Sequence, residues 1–222
     1  MSLVNFDFPT LDEVEKMLLR ETGITVHYPK NHIIFSAGDY ADRVFLIESG
    51  YVKIYRLSPD GRRVTVGSIR SPGEMMGLAE ILWGGERTCF ASAINNVSMV
   101  IVRKKKFEEL LASHTILALK VARLLGARMR DAEAMIHEMV CWQAPGRLAL
   151  MLLKMGDRCG MASKKGIRID LQLTHEELAN MVGTSRQTVT SLLNTFKADK
   201  SIEYEGRSAM VLDPDKLSKW IT

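Results

Sequence analysis

Four polar side chains near the start of a predicted helix could form hydrogen bonds with the edges of base pairs. They stand at the spacing i, i+1, i+4 and i+5, which places them on one helix face: Arg186, Gln187, Thr190 and Ser191. An arginine can donate two hydrogen bonds to guanine, and a glutamine can bond adenine through both atoms of its amide. The pattern predicts a helix face that contacts base pairs in the major groove of DNA.

Short hydroxyl side chains flank this face. Thr174, Ser185 and Thr188 are of a type that suits hydrogen bonds to DNA phosphates. The same stretch could also be an ordinary helical hairpin with a solvated face. The long donors of Arg186 and Gln187 favour DNA recognition over that alternative.

Two short helices are predicted to position these residues. Thr174, followed three residues later by Glu177, has the pattern of a capping box at a helix start. Gly183 predicts the end of that helix, because glycine enters the left-handed conformation without a steric penalty. Ser185 can cap the second helix. The predicted inner faces are apolar, with Leu178, Ala179 and Val182 on the first helix and Val189, Leu192, Leu193 and Phe196 on the second. These features predict a helix-turn-helix.

Elements on both sides of the helix-turn-helix can also be predicted. Pro145 and Gly146 interrupt the preceding helix, so we expect a hinge over residues 143–146. A helix over 147–155, a polar loop over 157–166 and a short strand over 167–173 are expected to follow. Residues 201–212 alternate in polarity around Gly206, which predicts a β-hairpin wing.

The N-terminal half contains short apolar segments separated by turn residues. Between residues 27 and 103 they lie at 32–35, 44–50, 51–57, 63–69, 89–94 and 98–102. This spacing is typical of a closed or sandwiched antiparallel β unit, and Asp60-Gly61 is the predicted tip of one hairpin. Ahead of these segments, residues 10–22 predict an amphipathic helix with an apolar face of Leu11, Val14, Met17 and Leu18.

A long helix is predicted over residues 104–143, with a break near Ser113. Its second part carries apolar and small residues in alternating steps of four and three: Ala118, Ala122, Leu125, Met129, Ala132, Ile136 and Met139. Such steps are typical of a seam between two helices. We interpret this stripe as a dimer seam, and the neighbouring stripe of Val121, Leu124 and Met135 as the face that packs on the β unit. Packing of the first stripe itself on the β unit is the alternative.

The composition indicates a globular chain with two domains. The chain has 222 residues, of which 46% are hydrophobic and 25% charged, enough for two cores. Residues 145–222 hold 12 Lys and Arg against 9 Asp and Glu, or +3, and residues 1–144 hold 18 against 17, or +1. The positive excess lies in the segment with the helix-turn-helix, where it suits phosphate contacts.

The sequence lacks the patterns typical of metal-binding, secreted, membrane-spanning and enzymatic proteins. Cys89, Cys141 and Cys159 are far apart and the five histidines show no ligand spacing, so no metal site is predicted. The N-terminal segment contains acids and no long apolar run, so we expect neither a signal peptide nor a membrane span. We therefore expect a cytoplasmic protein. The sequence has no nucleophile–base constellation, paired-carboxylate motif or P-loop, so we predict that the chain is not an enzyme.

The chain resembles the cyclic-AMP receptor protein/FNR family of bacterial transcription regulators over nearly its whole length. The resemblance is carried, besides the long helix, by residues 38–55 (GDYADRVFLIESGYVKIY), 72–93 (PGEMMGLAEILWGGERTCFASA), 145–153 (PGRLALMLL) and 173–194 (LTHEELANMVGTSRQTVTSLLN). It implies an α+β fold, with an N-terminal antiparallel β-roll of the cyclic-nucleotide-binding type over residues 1–114, a dimerisation helix and hinge over 115–144, and a C-terminal winged helix-turn-helix over 145–222.

The resemblance also implies partners. It implies a homodimer on a pseudo-palindromic DNA site, controlled by an effector in the roll, with residues 157–166 where relatives contact RNA polymerase. The base-reading residues would be Arg186, Gln187 and Ser191, which are Arg, Glu and Arg in the cyclic-AMP receptor. We therefore predict a half-site that keeps one guanine contact, from Arg186, but departs from that receptor's consensus. Each changed contact is worth about 1–3 kcal/mol of discrimination.

By resemblance, the roll should contain an anion-binding cassette. It consists of Gly77, Leu78, Ala79, Arg87 and Thr88. Backbone N–H groups and one guanidinium would bind the anion, unless Arg87 merely pairs with a surface acid. Cyclic-nucleotide binders of the family place Glu directly after the glycine, where this chain has Leu78. Their Thr-Ser pair on the dimer helix matches Ala132 and Glu133 here. Both departures argue against cyclic AMP.

Two charged residues of the long helix point to a different effector. Arg128 and Glu133 align with residues that the 2-oxoglutarate-sensing nitrogen regulator of the family uses on its ligand. A guanidinium on the roll-facing stripe needs an acidic partner or a bound anion. We hypothesise that a small carboxylate or other anion binds between Arg87 and Arg128, and a structural pair of Arg128 with Glu133 or Asp131 is the alternative. No other cofactor is expected, since the iron–sulfur branch needs an N-terminal cysteine cluster and the haem branch has a histidine where Ala79 stands.

Two alternatives to a DNA-binding regulator remain open. One is a sensor module whose C-terminal domain contacts a partner protein. The other is a thiol-based, redox-responsive regulator that acts through Cys89 or Cys141.

Overall fold

A computed structural model describes residues 8–205 and 209–221. These residues form two compact units. The roll unit comprises residues 8–56 and 66–133, and the C-terminal unit comprises residues 57–65 and 134–221. The division falls within the long helix, and the predicted boundaries at 114 and 144 stay predictions.

The roll unit is built on two antiparallel sheets, as the spacing of apolar segments predicts. Its strands are β1 (Ile24–Tyr28), β2 (Ile33–Phe35), β3 (Arg43–Ser49), β4 (Val52–Leu57), β6 (Met75–Met76), β7 (Phe90–Ala93) and β8 (Val97–Arg103), while β5 (Arg63–Thr65) falls in the C-terminal unit. One sheet has the order β1-β8-β3-β6, and the other contains β2-β7-β4. Buried side chains of both sheets, among them Phe45, Met76, Ala91 and Met99, form a shared core. The sequence pattern misses β1 and β6.

The predicted hairpin tip at Asp60-Gly61 is confirmed. Gly61 has a positive φ of 79°, which glycine adopts at no steric cost. Its N–H donates to the carbonyl of Ser58 at 2.8 Å, and the N–H of Ser58 donates to the carbonyl of Arg62 at 2.9 Å.

Helix α1 (Glu13–Thr22) is present, but its predicted apolar face is only partly right. Leu11 is buried in the core as predicted, and Leu18 is half-buried. Leu19 is buried, whereas Val14 and Met17 are 70% and 54% exposed. Electrostatic contacts explain the difference. Asp12 and Glu15 form a capping box at the helix start, and Glu15 also pairs with Lys120 at 2.5 Å. These contacts turn the Glu15 face inward, where Lys120 pairs with its Oε2.

Two further helices of the roll unit are α2 (Leu78–Trp83) and α3 (Lys104–Ser113), and α4 (Thr115–Cys141) begins in this unit and ends in the C-terminal unit. The predicted break near Ser113 is therefore confirmed. On α4, the stripe of Leu117, Val121 and Leu124 packs into the core of the roll unit. The predicted seam stripe is largely exposed, with Met129 at 62% and Ile136 at 65%.

The C-terminal unit combines helices with a small sheet. Its elements are α5 (Ala144–Cys159), β9 (Gly160–Ser163), β10 (Gly166–Ile169), α6 (His175–Val182), α7 (Arg186–Ala198), β11 (Ile202–Glu205), β12 (Ala209–Leu212) and α8 (Pro214–Ser218). The sheet order is β11-β12-β10-β9. The predicted wing is confirmed as an antiparallel pair of β11 and β12, while the turn predicted at Gly206 lies outside the described residues.

The polar loop predicted over residues 157–166 is wrong. Helix α5 continues to Cys159, and β9 and β10 form a hairpin there. Close packing requires glycine at its base, because a Cβ at Gly160 would lie 2.3 Å from the carbonyl oxygen of Gly156. Gly166 turns the hairpin with a φ of +140°. The strand predicted over 167–173 accordingly shifts to 166–169.

Candidate nucleic-acid interface and anion site

The caps predicted for the helix-turn-helix are present. Thr174 and Glu177 form a capping box at the start of α6. Gly183 ends α6 in the left-handed conformation, with φ of 71°. The Ser185 side chain accepts a hydrogen bond from the N–H of Thr188 and caps α7. The turn between the two helices is therefore fixed by local interactions.

Apolar contacts orient α7. Val189, Leu193 and Phe196 are buried on its inner face, and Leu178, Ala179 and Val182 are buried on α6. Leu192, also predicted on the inner face, is only half-buried. The opposite face of α7 is therefore turned towards solvent.

A shallow groove runs along this outer face. It is lined by Ser185, Arg186, Gln187, Thr190, Ser191 and Asn194. Arg186, Gln187 and Ser191 are exposed, and within residues 8–205 and 209–221 their side chains form no hydrogen bond or ion pair. Their donors are available to a ligand. Asn194, which the sequence analysis missed, continues the same face one turn after Thr190.

The hydroxyl groups predicted to contact DNA already have partners in the protein. The Thr174 hydroxyl bonds the Glu177 carboxylate at 3.0 Å. The Ser185 and Thr188 hydroxyls lie 2.8 Å apart. Each hydroxyl has one proton, so donation to a phosphate would break one of these bonds.

Thr190 is held in place from two sides. Its hydroxyl lies 2.8 Å from Nδ1 of His175 and 2.9 Å from the carbonyl oxygen of Arg186. The contact with His175 joins the start of α6 to the outer face of α7. Thr190 thus positions the outer face of α7 through a contact with His175 that the sequence pattern did not predict.

Arg147 is a further positioning residue that the sequence analysis missed. Its guanidinium donates to the carbonyl oxygens of Trp142 at 2.6 Å, Val182 at 3.0 Å and Gly183 at 3.4 Å. Val182 and Gly183 form the C-terminal end of α6, where carbonyls lack helical partners. One side chain therefore ties the residue after α4 to the turn of the helix-turn-helix.

The predicted cassette of the roll unit is built around a buried arginine. The Arg87 guanidinium donates to the carbonyl oxygens of Gly77, at 2.8 Å, and of Arg43. It also lies over the ring of Phe35, 4.7 Å from the centroid. A Cβ at residue 77 would lie 2.9 Å from Nη1 of Arg87, which explains the glycine. Burial lowers the pKa of Arg87 from its ordinary value, and Glu80 opposes that shift.

Glu80 supplies the acid that pairs with Arg87. Its Oε2 lies 3.3 Å from Nη1 of Arg87. Its Oε1 accepts from the hydroxyl of Thr88 at 3.1 Å and from the N–H of Thr88 at 3.4 Å. Leu78 is buried at 1% exposure, and Ala79 is exposed at the start of α2. Arg87 is thus paired with an acid, although this acid is largely buried rather than on the surface.

Arg128 lies at a neighbouring point of the same unit. Its guanidinium donates to the carbonyl oxygen of Met75 and lies 3.7 Å from the Glu74 carboxylate. The alternative partners are not used, since Asp131 accepts from the Ser68 hydroxyl at 3.0 Å and Glu133 is exposed. Met75 and Gly77, the carbonyl partners of Arg128 and Arg87, are two residues apart in the sequence, in β6 and at the start of α2.

The cysteines differ in environment. Cys141 is exposed, and Cys89 and Cys159 are partly buried. Burial raises the pKa of the Cys159 thiol to about 11, and its Sγ lies 2.9 Å from the Met155 carbonyl oxygen. Within the described ranges, no cluster of three or more His, Cys, Asp or Glu could hold a metal ion.

In the same ranges, no single helix has both the length and the apolar character needed to cross a membrane. The helices α3 and α4 meet these criteria only as a pair, bent by 114°.

Comparison with known families assigns both units. Residues 25–114 match the cyclic nucleotide-binding domain, and residues 146–220 match the Crp-like helix-turn-helix domain. The two matches cover the β-roll and the winged helix-turn-helix in the order that the sequence analysis predicts.

Individual relatives agree with this assignment. The chain is 32% identical to a CRP-like cAMP-activated global transcriptional regulator of Mycobacterium tuberculosis, over 87% of this chain and 86% of the relative. It is 30% identical to the global nitrogen regulator of a Nostoc species, over 88% of each chain. In fold it is similar to FixK2 from Bradyrhizobium japonicum, with a TM-score of 0.79 at 23% identity over 90% of this chain and 98% of that one. The chain therefore belongs to the CRP/FNR family of DNA-binding transcription regulators.

Proposed function

We propose that the chain acts as a homodimer on a pseudo-palindromic DNA site, and that a small carboxylate effector in the roll unit controls this binding. The observation that carries the proposal is the outer face of α7, where Arg186, Gln187 and Ser191 are exposed and have no partner in the described part of the chain. Hydrogen-bond donors that have no partner within the described part of the protein are available to bind base edges.

DNA binding is tested with one exposed side chain. We expect Arg186→Ala to weaken specific binding by about 5–150-fold, the equivalent of 1–3 kcal/mol, while the melting temperature stays unchanged. The specific footprint should therefore be lost at the lowest protein concentration at which wild type gives one. Asn194→Ala is the matched variant on the same groove, and its effect reports whether the reading face extends one turn further. A footprint that survives Arg186→Ala would contradict the proposal and favour a protein partner for this domain.

The dimer proposal is supported by the seam stripe of α4. Met129, Ile136 and Met139 are 49–65% exposed, although they repeat at the steps of a two-helix seam. A two-fold axis along α4 would place two recognition helices about 34 Å apart, one turn of DNA.

Matched substitutions on α4 test the dimer. Ile136→Asp, on the seam, should produce monomers in sedimentation velocity and abolish binding to a two-half-site duplex. Ile116 is 76% exposed on the same helix but off the seam, so Ile116→Asp is the control and should leave the dimer intact. Wild-type protein that sediments as a monomer at micromolar concentration would refute the proposal.

The effector proposal rests on the two guanidiniums of the roll unit. Arg87 and Arg128 donate to carbonyls two residues apart in the sequence, so two cations flank one short segment, and cations of this kind bind carboxylates. The Mycobacterium relative is described as cAMP-activated. Here, however, residue 78 is a leucine, so this position has no carboxylate to accept a hydrogen bond from a ribose hydroxyl. We expect calorimetry to detect 2-oxoglutarate or another oxo acid but not cyclic AMP, and Arg87→Ala to remove the heat.

A further inference from the structure

The Glu80 carboxylate makes the contacts that a bound anion would make. It faces one guanidinium N–H of Arg87 at 3.3 Å, the Thr88 hydroxyl at 3.1 Å and the Thr88 N–H at 3.4 Å. A guanidinium, a hydroxyl and a backbone N–H converging on two oxygens form an anion site.

The cationic side of this site is fixed without help from Glu80. The Arg87 side chain is 2% exposed. The carbonyls of Gly77 and Arg43 accept from its two terminal nitrogens, and the Phe35 ring lies against its plane. If Glu80 left, the guanidinium would keep its place as a buried cation, which is costly without an anion.

The acidic side is less firmly held. Glu80 lies in the first turn of the six-residue helix α2, and its side chain is 16% exposed. Among the residues that the structure describes, the hydrogen-bond partners of its carboxylate are Arg87 and Thr88. A rotation about its side-chain bonds would take the carboxylate from the site into solvent, and α2 would stay where its buried residues Leu78 and Ile81 hold it.

We propose that the Glu80 carboxylate is a built-in occupant of the roll's anion site, which an effector carboxylate must displace. Displacement by an effector carboxylate rests on the effector proposed above, whereas occupation of the site by Glu80 does not. The ligand chemistry follows from the occupant, since one oxygen faces the guanidinium and the other faces the hydroxyl and N–H of Thr88. Glu80 would thereby set the effector concentration at which the regulator responds.

Chemical rescue tests whether Glu80 occupies an anion site. The full-length Glu80→Ala protein is melted in increasing sodium acetate, with sodium chloride keeping the ionic strength constant. Acetate should raise its melting temperature along a saturating curve, as expected for a ligand of the folded state alone. Glu86 is exposed in the segment that follows α2, so Glu86→Ala removes an equal charge as the matched control. Neither Glu86→Ala nor wild type should respond to acetate beyond chloride.

The outcomes separate the two readings of Glu80. If it were only a permanent counter-ion, Glu80→Ala would respond equally to acetate and chloride, and the proposal would be overturned. If Glu80→Ala does not fold in chloride, recovery in acetate supports the proposal and failure in both salts refutes it. Adding Thr88→Val should weaken the acetate response.

Calorimetry with 2-oxoglutarate tests whether an effector displaces Glu80. Glu80→Gln should bind at least tenfold more tightly than wild type, and Glu86→Gln should bind as wild type does. Equal affinities in the three proteins would overturn displacement. Acetate rescue without 2-oxoglutarate binding would support the occupant and refute the proposed oxo-acid effector, so the two proposals fail separately.

Discussion

Replacement of Arg147 by alanine should loosen the helix-turn-helix without touching its outer face. The side chain donates to three carbonyl oxygens, at 2.6 Å to Trp142, 3.0 Å to Val182 and 3.4 Å to Gly183. The last two belong to the end of α6, so their loss acts on the turn that sets the direction of α7.

The size of the effect follows from these bonds. A hydrogen bond to a charged group is worth about 1.5–3 kcal/mol, and the two shorter bonds fall in this class. The 3.4 Å bond adds little, and water can reach part of this half-buried site. We therefore expect a loss of about 2–4 kcal/mol in the free energy of unfolding, because the individual contributions overlap. For a unit of this size, the melting temperature should fall by roughly 10–25 °C.

Thermal unfolding followed by circular dichroism, together with DNA binding at low temperature, checks the prediction. Arg147→Ala should lower both stability and affinity. Arg147→Lys should recover only part of the stability, because a lysine ammonium cannot reproduce the fork of the guanidinium. Arg186→Ala, at an exposed position of the same unit, is the control and should lower affinity alone. An Arg147→Ala protein that melts within about 3 °C of wild type would refute the reasoning.

Three further results are expected. Thr174→Ala removes the capping box of α6 and should cost about 1 kcal/mol in urea unfolding; an unchanged midpoint would contradict the role of the cap. Thr190→Val removes the contact with His175 and should cost about 1 kcal/mol of stability, while the preferred DNA sequence, measured by selection from random duplexes, stays the same. Burial raises the pKa of Cys159 to about 11, so at pH 8 about one thiol in a thousand is the reactive thiolate. Iodoacetamide should therefore label the exposed Cys141 and leave Cys159 unmodified in the native protein, and equal labelling of both would contradict this.

The helix-turn-helix could be predicted because its signals are local. Thr174 and Glu177 are three residues apart, and Gly183 needs only its own backbone conformation to end the helix. The hairpin of β9 and β10 depends instead on pairing with β12, far along the chain. A polar stretch such as residues 157–166 carries no local signal of that pairing, so a loop was the natural expectation.

On α1, the prediction was wrong for Val14 and Met17 for a related reason. Apolar periodicity assigns Val14 and Met17 to the core, because it gives no weight to a buried carboxylate. Glu15 is nevertheless buried, and Lys120, which lies more than a hundred residues away in the sequence, pairs with it. Likewise, Arg147 could not be identified as a positioning residue, because its partners are backbone carbonyls, which every residue has.

The two charged sites differ in how far sequence could lead. On α7, the type and spacing of Arg186 and Gln187 are sufficient to predict the site. These side chains are exposed and have no partner in the described part of the chain, so no distant contact changes which groups they present to a ligand. In the roll unit, Arg87 and Arg128 could be predicted as the cations of an anion site, but their acids could not be assigned, since Glu80 and Glu74 were two of many candidates. A cation that already has an acid is compatible with a structural pair and with an occupied ligand site. The contacts of Thr88 favour the second reading, because a counter-ion needs only the guanidinium, whereas Glu80 also fills the hydroxyl and N–H positions of an anion site.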